Sequence, residues 1–184
     1  MKPLIAIWLL GAARLAGQAA GVMPDWEARQ AAATLEKNTR AVGDVLAQLR
    51  PKEWAAAGAS ELYIEQLDLA RQAHSHLAQE AQALGRQPEK LSLALGVFFR
   101  LDHLESLAGS LAGGARQYQN APLADLLQAA ISRSAAPREK LKEYIRQLAV
   151  EKEQECEIAH QEAQRCRESL AKQPPPKKPA PPQP

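Results

Sequence analysis

The sequence predicts an all-α protein: an antiparallel bundle of four to five helices with a long, projecting C-terminal helix and a disordered proline-rich tail. Aromatic residues make up 4% of the 184 residues, whereas alanine and leucine are abundant. This composition favours helices over strands. Apolar residues recur at steps of three and four, the spacing of one helix face, and prolines and glycines divide the pattern into separate helices.

The N-terminal segment, residues 1–19, is predicted to be a secretory signal peptide. Lys2 precedes a short apolar run at residues 4–10, and the sequence Gly-Gln-Ala at residues 17–19 supplies the small residues of a cleavage site. The mature chain would begin near Ala20 and would be exported, to the periplasm or to the outside of the cell. If the signal is not cleaved, the same segment becomes an N-terminal membrane anchor.

The first helix is predicted to begin at Asp25, a candidate N-cap, and to run to about Arg50. Pro51 ends this helix because the helical region is disfavoured for the residue before a proline. A short turn of helix is predicted at residues 51–57, and Gly58 breaks it.

Two further long helices follow. Ser60 is predicted to cap the second one, which ends at Gly85. Pro88 suits the first turn of the third helix, which is the most apolar of the chain and is predicted to end at the glycine pair of residues 113–114. High apolar content predicts that this third helix is the most buried.

The C-terminal helices begin at Asn120, and Pro137 marks either a kink or a new start. From Pro137 the pattern is helical to about Lys172, a length of ~54 Å if the helix is unbroken. Steps of four and three residues along one face of this helix are those of a coiled coil. The residues on that face are Leu141, Ile145, Leu148, Lys152, Cys156, Ala159, Ala163, Cys166 and Leu170.

One helical domain is predicted at residues 20–172, followed by a disordered tail at residues 173–184 that is rich in proline and lysine. The formal net charge is only +2, so no strong positive field attracts a phosphate backbone and no nucleic-acid partner is predicted. No apolar run after the signal reaches the roughly 18 residues that a membrane helix needs. The mature chain is therefore predicted to have no transmembrane span.

Two cysteines, Cys156 and Cys166, raise the question of a disulfide in an oxidising compartment. Ten residues of helix separate their Cα atoms by ~15 Å, too far for a bond within one unbroken helix. They could bond across a dimer, antiparallel about Gln161 or parallel; the alternatives are buried free thiols or a broken helix. We call the predicted surface for pairing the contact face, and it consists of Leu148, Cys156, Ala159, Ala163, Cys166 and Leu170.

No group of residues predicts catalysis, a cofactor or a metal ion. Cys156 and His160 have the spacing of two metal ligands on one helix face, but no second helix supplies matching ligands. The group Asp102, His103 and Glu105 is interpreted as the solvated side of the third helix. His74 and His76 cannot chelate one ion together, because side chains two residues apart on a helix point in different directions.

The hypothesis that the sequence favours is an exported, non-catalytic protein that acts in protein–protein interaction or envelope assembly, with a protein partner or a second copy on the last helix. The alternative hypothesis is a carrier of a small apolar ligand between the helices. The predicted pocket of such a carrier is lined by Trp54, Tyr63, Leu95, Phe98 and Phe99.

Overall fold

The computed structural model describes residues 23–172, so the predicted signal peptide and the predicted tail lie outside the described residues. The described part is all-α and contains six helices. They are α1 (Asp25–Leu46), α2 (Pro51–Ala56), α3 (Leu62–Arg86), α4 (Leu91–Tyr118), α5 (Ala121–Ser132) and α6 (Ala135–Ala171).

Four long helices pack together as the predicted antiparallel bundle. Helix α1 packs on α3, α3 on α4, and α4 on α5, while α5 and the first part of α6 close the bundle against α1. Helices α5 and α6 follow one another almost without a break and together form a C-terminal element of 51 residues. The short helix α2 covers one end of the bundle, next to α3 and α4.

The core consists mainly of leucine and alanine, as the 3–4 spacing predicts. Leu35, Leu77, Leu111 and Leu127 are completely buried, one from each of the four packed helices. Alanines on the same faces let neighbouring helices approach closely. The part of the chain that the structure describes has no helix that is long and apolar enough to cross a membrane.

Trp54 of α2 closes one end of the core and is only 1% exposed. Its indole Nε1 donates a hydrogen bond to Gln119 Oε1 at 3.1 Å, and Gln119 Nε2 donates to the carbonyl of Gln48 at 3.0 Å. Gln119 therefore joins the end of α4 to the connection between α1 and α2. This link satisfies the polar atom of a buried tryptophan, which explains how the ring can be buried without an unpaired donor.

Helix α4 does not end at residues 113–114, contrary to the sequence prediction, but continues to Tyr118. A Cβ atom at Gly114 would lie 2.9 Å from Trp54 Cζ3 and 2.9 Å from Tyr63 Cε1, whereas one at Gly113 would meet nothing within 4 Å. Gly114 is therefore a packing residue inside the helix, where two aromatic rings rest on the backbone. Gly85 also lies inside its helix, and among the described residues only Gly58 of the glycines has a positive φ, 95°.

Other predicted ends shift by a few residues. Helix α1 ends at Leu46 rather than Arg50, and Pro24 rather than Asp25 is its N-cap. Asn120 lies at the start of α5, as predicted, and its side chain caps this helix by accepting a hydrogen bond from the Leu123 amide at 2.8 Å. The break that the sequence placed at Pro137 lies just before α6, and Pro137 occupies the first turn of that helix, where a missing amide hydrogen is tolerated.

Candidate interaction surface on the last helix

Helix α6 changes environment along its length. Leu141, Tyr144 and Leu148 are buried against the bundle, with exposures of 1%, 2% and 2%. From Glu151 onward every described residue is exposed except Lys152, which is partly exposed. We call residues 151–171 the projecting segment; at 1.5 Å per residue it extends about 30 Å from the bundle. The predicted projecting helix is confirmed.

The face of α6 that packs in the bundle continues along the projecting segment. At ~100° of rotation per residue, Cys156, Ala159, Ala163, Cys166 and Leu170 all lie within an arc of about 80° that begins at the direction of Leu148. Leu148 itself is a core residue and so is not available to a partner, which shortens the predicted contact face to the other five. These five residues combine small, thiol and apolar side chains on one solvent-exposed strip.

Both cysteines are free and exposed in the single chain. Helix α6 is unbroken between them, so their Cα atoms are ~15 Å apart and no bond within the chain can form. The buried thiols and the broken helix that the sequence left open are therefore excluded. Leu170, which lies on the same face of α6 as the cysteines, is 60% exposed, a high value for a leucine side chain.

Charge is distributed unevenly along the projecting segment and Lys172, the residue that follows it. Residues 151–162 contain five glutamates and one lysine, a net charge of −4, whereas residues 163–172 contain three basic residues and one glutamate, a net charge of +2. Within the helix, Lys152 Nζ lies 2.8 Å from Glu155 Oε2, and this hydrogen bond raises the pKa of the Lys152 ammonium. Gln161 Nε2 donates to Glu157 Oε1 at 2.8 Å.

The five residues of the predicted apolar pocket form two separate groups. Trp54 and Tyr63 pack edge to face, with ring centroids 5.6 Å apart, beside Gly114 of α4. Phe98 and Phe99 form a similar pair at 5.8 Å, but Phe98 precedes Gly114 by 16 residues, which is ~24 Å along α4.

These two aromatic groups do not line one cavity. Leu95 is half-buried on α4 near the second group, while Phe99 is 64% exposed. A surface groove of about 620 Å³ runs along α3 between Ser60 and Gln72, and none of the five pocket residues lines it.

The acidic group on α4 holds the start of α6 in place. Arg138 donates to Glu105 Oε2 at 2.6 Å and to Asp102 Oδ1 at 2.8 Å, and its guanidinium carbon lies 5.5 Å from the centre of the Phe98 ring. Burial raises the pKa of the Glu105 carboxyl, against the opposing effect of Arg138. His103 is exposed, as the interpretation of a solvated side predicts for this residue. Sequence reasoning missed the role of Arg138, because its partners lie more than 30 residues away.

Histidines of the described chain show no metal site. The Nε2 atom of His160 lies 3.1 Å from Gln164 Nε2, on the exposed part of α6. No group of three or more histidine, cysteine or acidic side chains in residues 23–172 could hold a metal ion. His74 instead packs its ring edge against the backbone of Gly43, where a Cβ atom would collide with it, so these two residues set the close approach of α1 and α3.

Comparison with known proteins finds no matching family model, no similar curated protein and no similar solved structure. Any function proposed for this chain therefore rests on its own sequence and structure.

Proposed function

We propose that this chain is an exported, non-catalytic protein whose projecting segment contacts a protein partner, in the manner of an assembly or adaptor element. The observation that carries the proposal is the face of small, thiol and apolar residues from Cys156 to Leu170, beyond Lys152, on a helix that leaves the bundle. The ionic group that Arg138 forms with Asp102 and Glu105 is partly exposed and joins α4 to the start of α6.

A solvated helix of this length gains little stability from its own side chains. Most helix stability in proteins comes from the packing of one apolar face rather than from intrinsic propensity. Lys152 and Glu155 form an exposed ion pair within the helix, and exposed pairs contribute little to stability. Burying Leu170 against a partner would contribute about 1–2 kcal/mol per chain.

The size of the side chains on the contact face also limits what the partner can be. The strip that carries Cys156, Ala159 and Ala163 has almost no bulk, so a partner helix can approach it more closely than it could approach a leucine-rich face. Helix-in-groove or helix-on-helix contact fits such a strip, whereas a small apolar ligand needs a concave site. The aromatic residues predicted for a ligand pocket lie in two separate groups, so no observation favours the carrier hypothesis.

Site-specific photo-crosslinking in cells that produce the full chain tests this proposal. A photoreactive residue at Ala163, on the contact face, is expected to give a covalent adduct with another protein chain. The matched control is the same photoreactive residue at Arg146, which is exposed on the bundle part of the same helix. No adduct at Ala163, or equal adducts at both positions, would contradict the proposal.

A further inference from the structure

We infer that the partner of the projecting segment is a second copy of this chain, packed antiparallel so that Cys156 of each copy faces Cys166 of the other. This inference rests on the proposed function, since it identifies the chain that the exposed helix contacts. Three features of the projecting segment lead to the same arrangement: the positions of the cysteines, the limits of the exposed helix and the distribution of charge.

The cysteines and the exposed helix share one centre. Cys156 and Cys166 lie five residues on either side of Gln161, and Glu151 and Ala171, the limits of the exposed helix, lie ten residues on either side of it. Two antiparallel copies that cross at Gln161 therefore overlap along the whole projecting segment. A slide of one helical turn would separate the facing thiols by about 5 Å and would uncover about four residues at one end of each segment.

The charges favour antiparallel over parallel pairing. Antiparallel overlap places the half with net charge −4 along the basic half of the second copy, whereas parallel overlap places like charges together. Glu153 and Arg167 illustrate the match. Both lie on the same side of the contact face, Arg167 ~60° and Glu153 ~100° from its centre. In the antiparallel pair, Glu153 of one copy and Arg167 of the other lie within about two residues of the same level along the helices.

Small side chains permit the distance that a disulfide needs. In this arrangement Ala159 faces Ala163 of the second copy, so the helix axes can approach to ~8 Å, the lower end of the usual range. The two cysteines point ~40° to either side of the face centre, and with Cα atoms ~2.3 Å from each axis their Cα–Cα separation is ~5 Å. This Cα–Cα distance lies within the range of disulfides, whereas axes ~10 Å apart would give ~7 Å, which exceeds it. The Cβ–Cβ distance also reaches the disulfide range when the two helices supercoil at ~3.5 residues per turn, because supercoiling brings each cysteine to ~26° from the face centre.

Each interchain bond forms by exchange with a disulfide oxidant of the glutathione or thiol-oxidoreductase type. A cysteine thiolate attacks the oxidant and releases one thiol; the facing thiolate then attacks the mixed disulfide and releases the second. Two protein thiols are oxidised, the oxidant is reduced to two thiols, and the two protons leave with them. The strip of contact is only about 30 Å by 10 Å per copy, below the size of a stable interface, so the reduced pair is expected to separate readily.

Single-cysteine variants of the full chain test the inference with oxidised glutathione as the oxidant. Cys156→Ser and Cys166→Ser are incubated alone and as an equal mixture, and the initial rate of dimer formation is measured on non-reducing gels. Antiparallel pairing predicts that the mixture forms a reducible dimer at least about tenfold faster than either variant alone, a ratio that corresponds to about 1.4 kcal/mol. Parallel pairing predicts fast dimers of each variant alone, and random collision predicts equal rates; either result overturns the inference.

A charge variant with a matched control separates specific pairing from nonspecific attraction. Arg165→Glu with Arg167→Glu in the Cys156→Ser chain is expected to slow the mixed reaction at least about tenfold at low salt, after each rate is divided by the rate at which the same chain alone reacts with oxidised glutathione, because the two arginines also affect the reactivity of Cys166. The control, Lys140→Glu with Lys142→Glu, makes the same change in net charge on the exposed bundle part of α6 and is expected to leave the rate unchanged. Equal slowing by both changes would contradict the proposed register.

The two proposals can fail separately. If the mixed variants show no preference while photo-crosslinks at Ala163 link the chain to a different protein, only the antiparallel self-pairing is wrong. If Ala163 gives no adduct of any mass in producing cells, the proposed function is wrong as well.

Discussion

Two neighbouring glycines of α4 are expected to respond in opposite directions to the same substitution. Gly113→Ala adds a methyl group in open space, so it should stabilise the fold by up to about 1 kcal/mol through helix propensity. Gly114→Ala gains the same propensity, but its methyl group would lie 2.9 Å from both the Trp54 and the Tyr63 ring.

The cost at Gly114 comes from rigid neighbours. Trp54 is buried and is held by its hydrogen bond to Gln119, so its ring cannot move away without breaking that bond. Overpacking in a core costs about 1–3 kcal/mol. Because the propensity gain is common to both variants, the difference between them equals this steric cost, about 1–3 kcal/mol.

Urea unfolding monitored by circular dichroism and by tryptophan fluorescence measures the difference. A domain of this size should show a separation of several degrees in Tm between the two variants as well. Equal stabilisation by both substitutions would show that the aromatic rings do not rest on Gly114, and would refute the packing described for that end of the bundle.

Three further predictions concern the bundle and its boundary. Burial raises the pKa of Tyr144 to about 12. A tyrosine whose pKa is higher in the folded than in the unfolded chain loses its contribution to stability as pH rises. Urea titrations at each pH should therefore show that wild type loses stability between pH 10 and 12 more steeply than Tyr144→Phe. Arg138→Met should cost about 1–2 kcal/mol at pH 7, with a smaller deficit near pH 4, where the protonated Glu105 no longer needs a cation. Leu148→Ala should cost about 2–5 kcal/mol, whereas Ile158→Ala, in the projecting segment, should change the unfolding free energy of the reduced chain by less than about 0.5 kcal/mol.

Each of these has a contradicting result. Parallel pH curves for wild type and Tyr144→Phe would show that the phenol is not held protonated in the fold. A deficit for Arg138→Met that stays constant from pH 7 to 4 would remove the assigned role of the Glu105 carboxylate. Equal costs for the leucine and the isoleucine truncation would mean that helix α6 does not leave the bundle near residue 150.

The helices were predictable because their signal is local. Apolar steps of three and four residues, with Pro51 and Asn120 at element boundaries, identify the packed helices and the long last one. The error at Gly114 has a physical cause, since a glycine that ends a helix and one that admits a neighbouring ring look alike in sequence. Only the positions of Trp54 and Tyr63, 60 and 51 residues earlier in the chain, distinguish the two cases.

The candidate surface was predictable in part. The stripe of cysteine and alanine on α6 is visible in the sequence, but the point at which that stripe leaves the core is not, so Leu148 was included wrongly among the available residues. The aromatic residues of the predicted pocket do not lie together. Helical periodicity gives the direction in which a side chain points, but not its level along the bundle. Phe98 and Trp54 share an apolar character but lie near different levels of α4.

Amide hydrogen exchange along α6 tests most directly the claim that the projecting segment is a contact surface. We expect amides of residues 152–171 to exchange at least about tenfold more slowly in the oxidised full chain than in the reduced, dilute chain, because pairing supplies the packing that a solvated helix lacks. Amides of residues 141–148, inside the bundle, should exchange equally in both and serve as the internal control. Unchanged, rapid exchange of residues 152–171 in the oxidised chain would contradict the antiparallel pairing of two copies along the projecting segment.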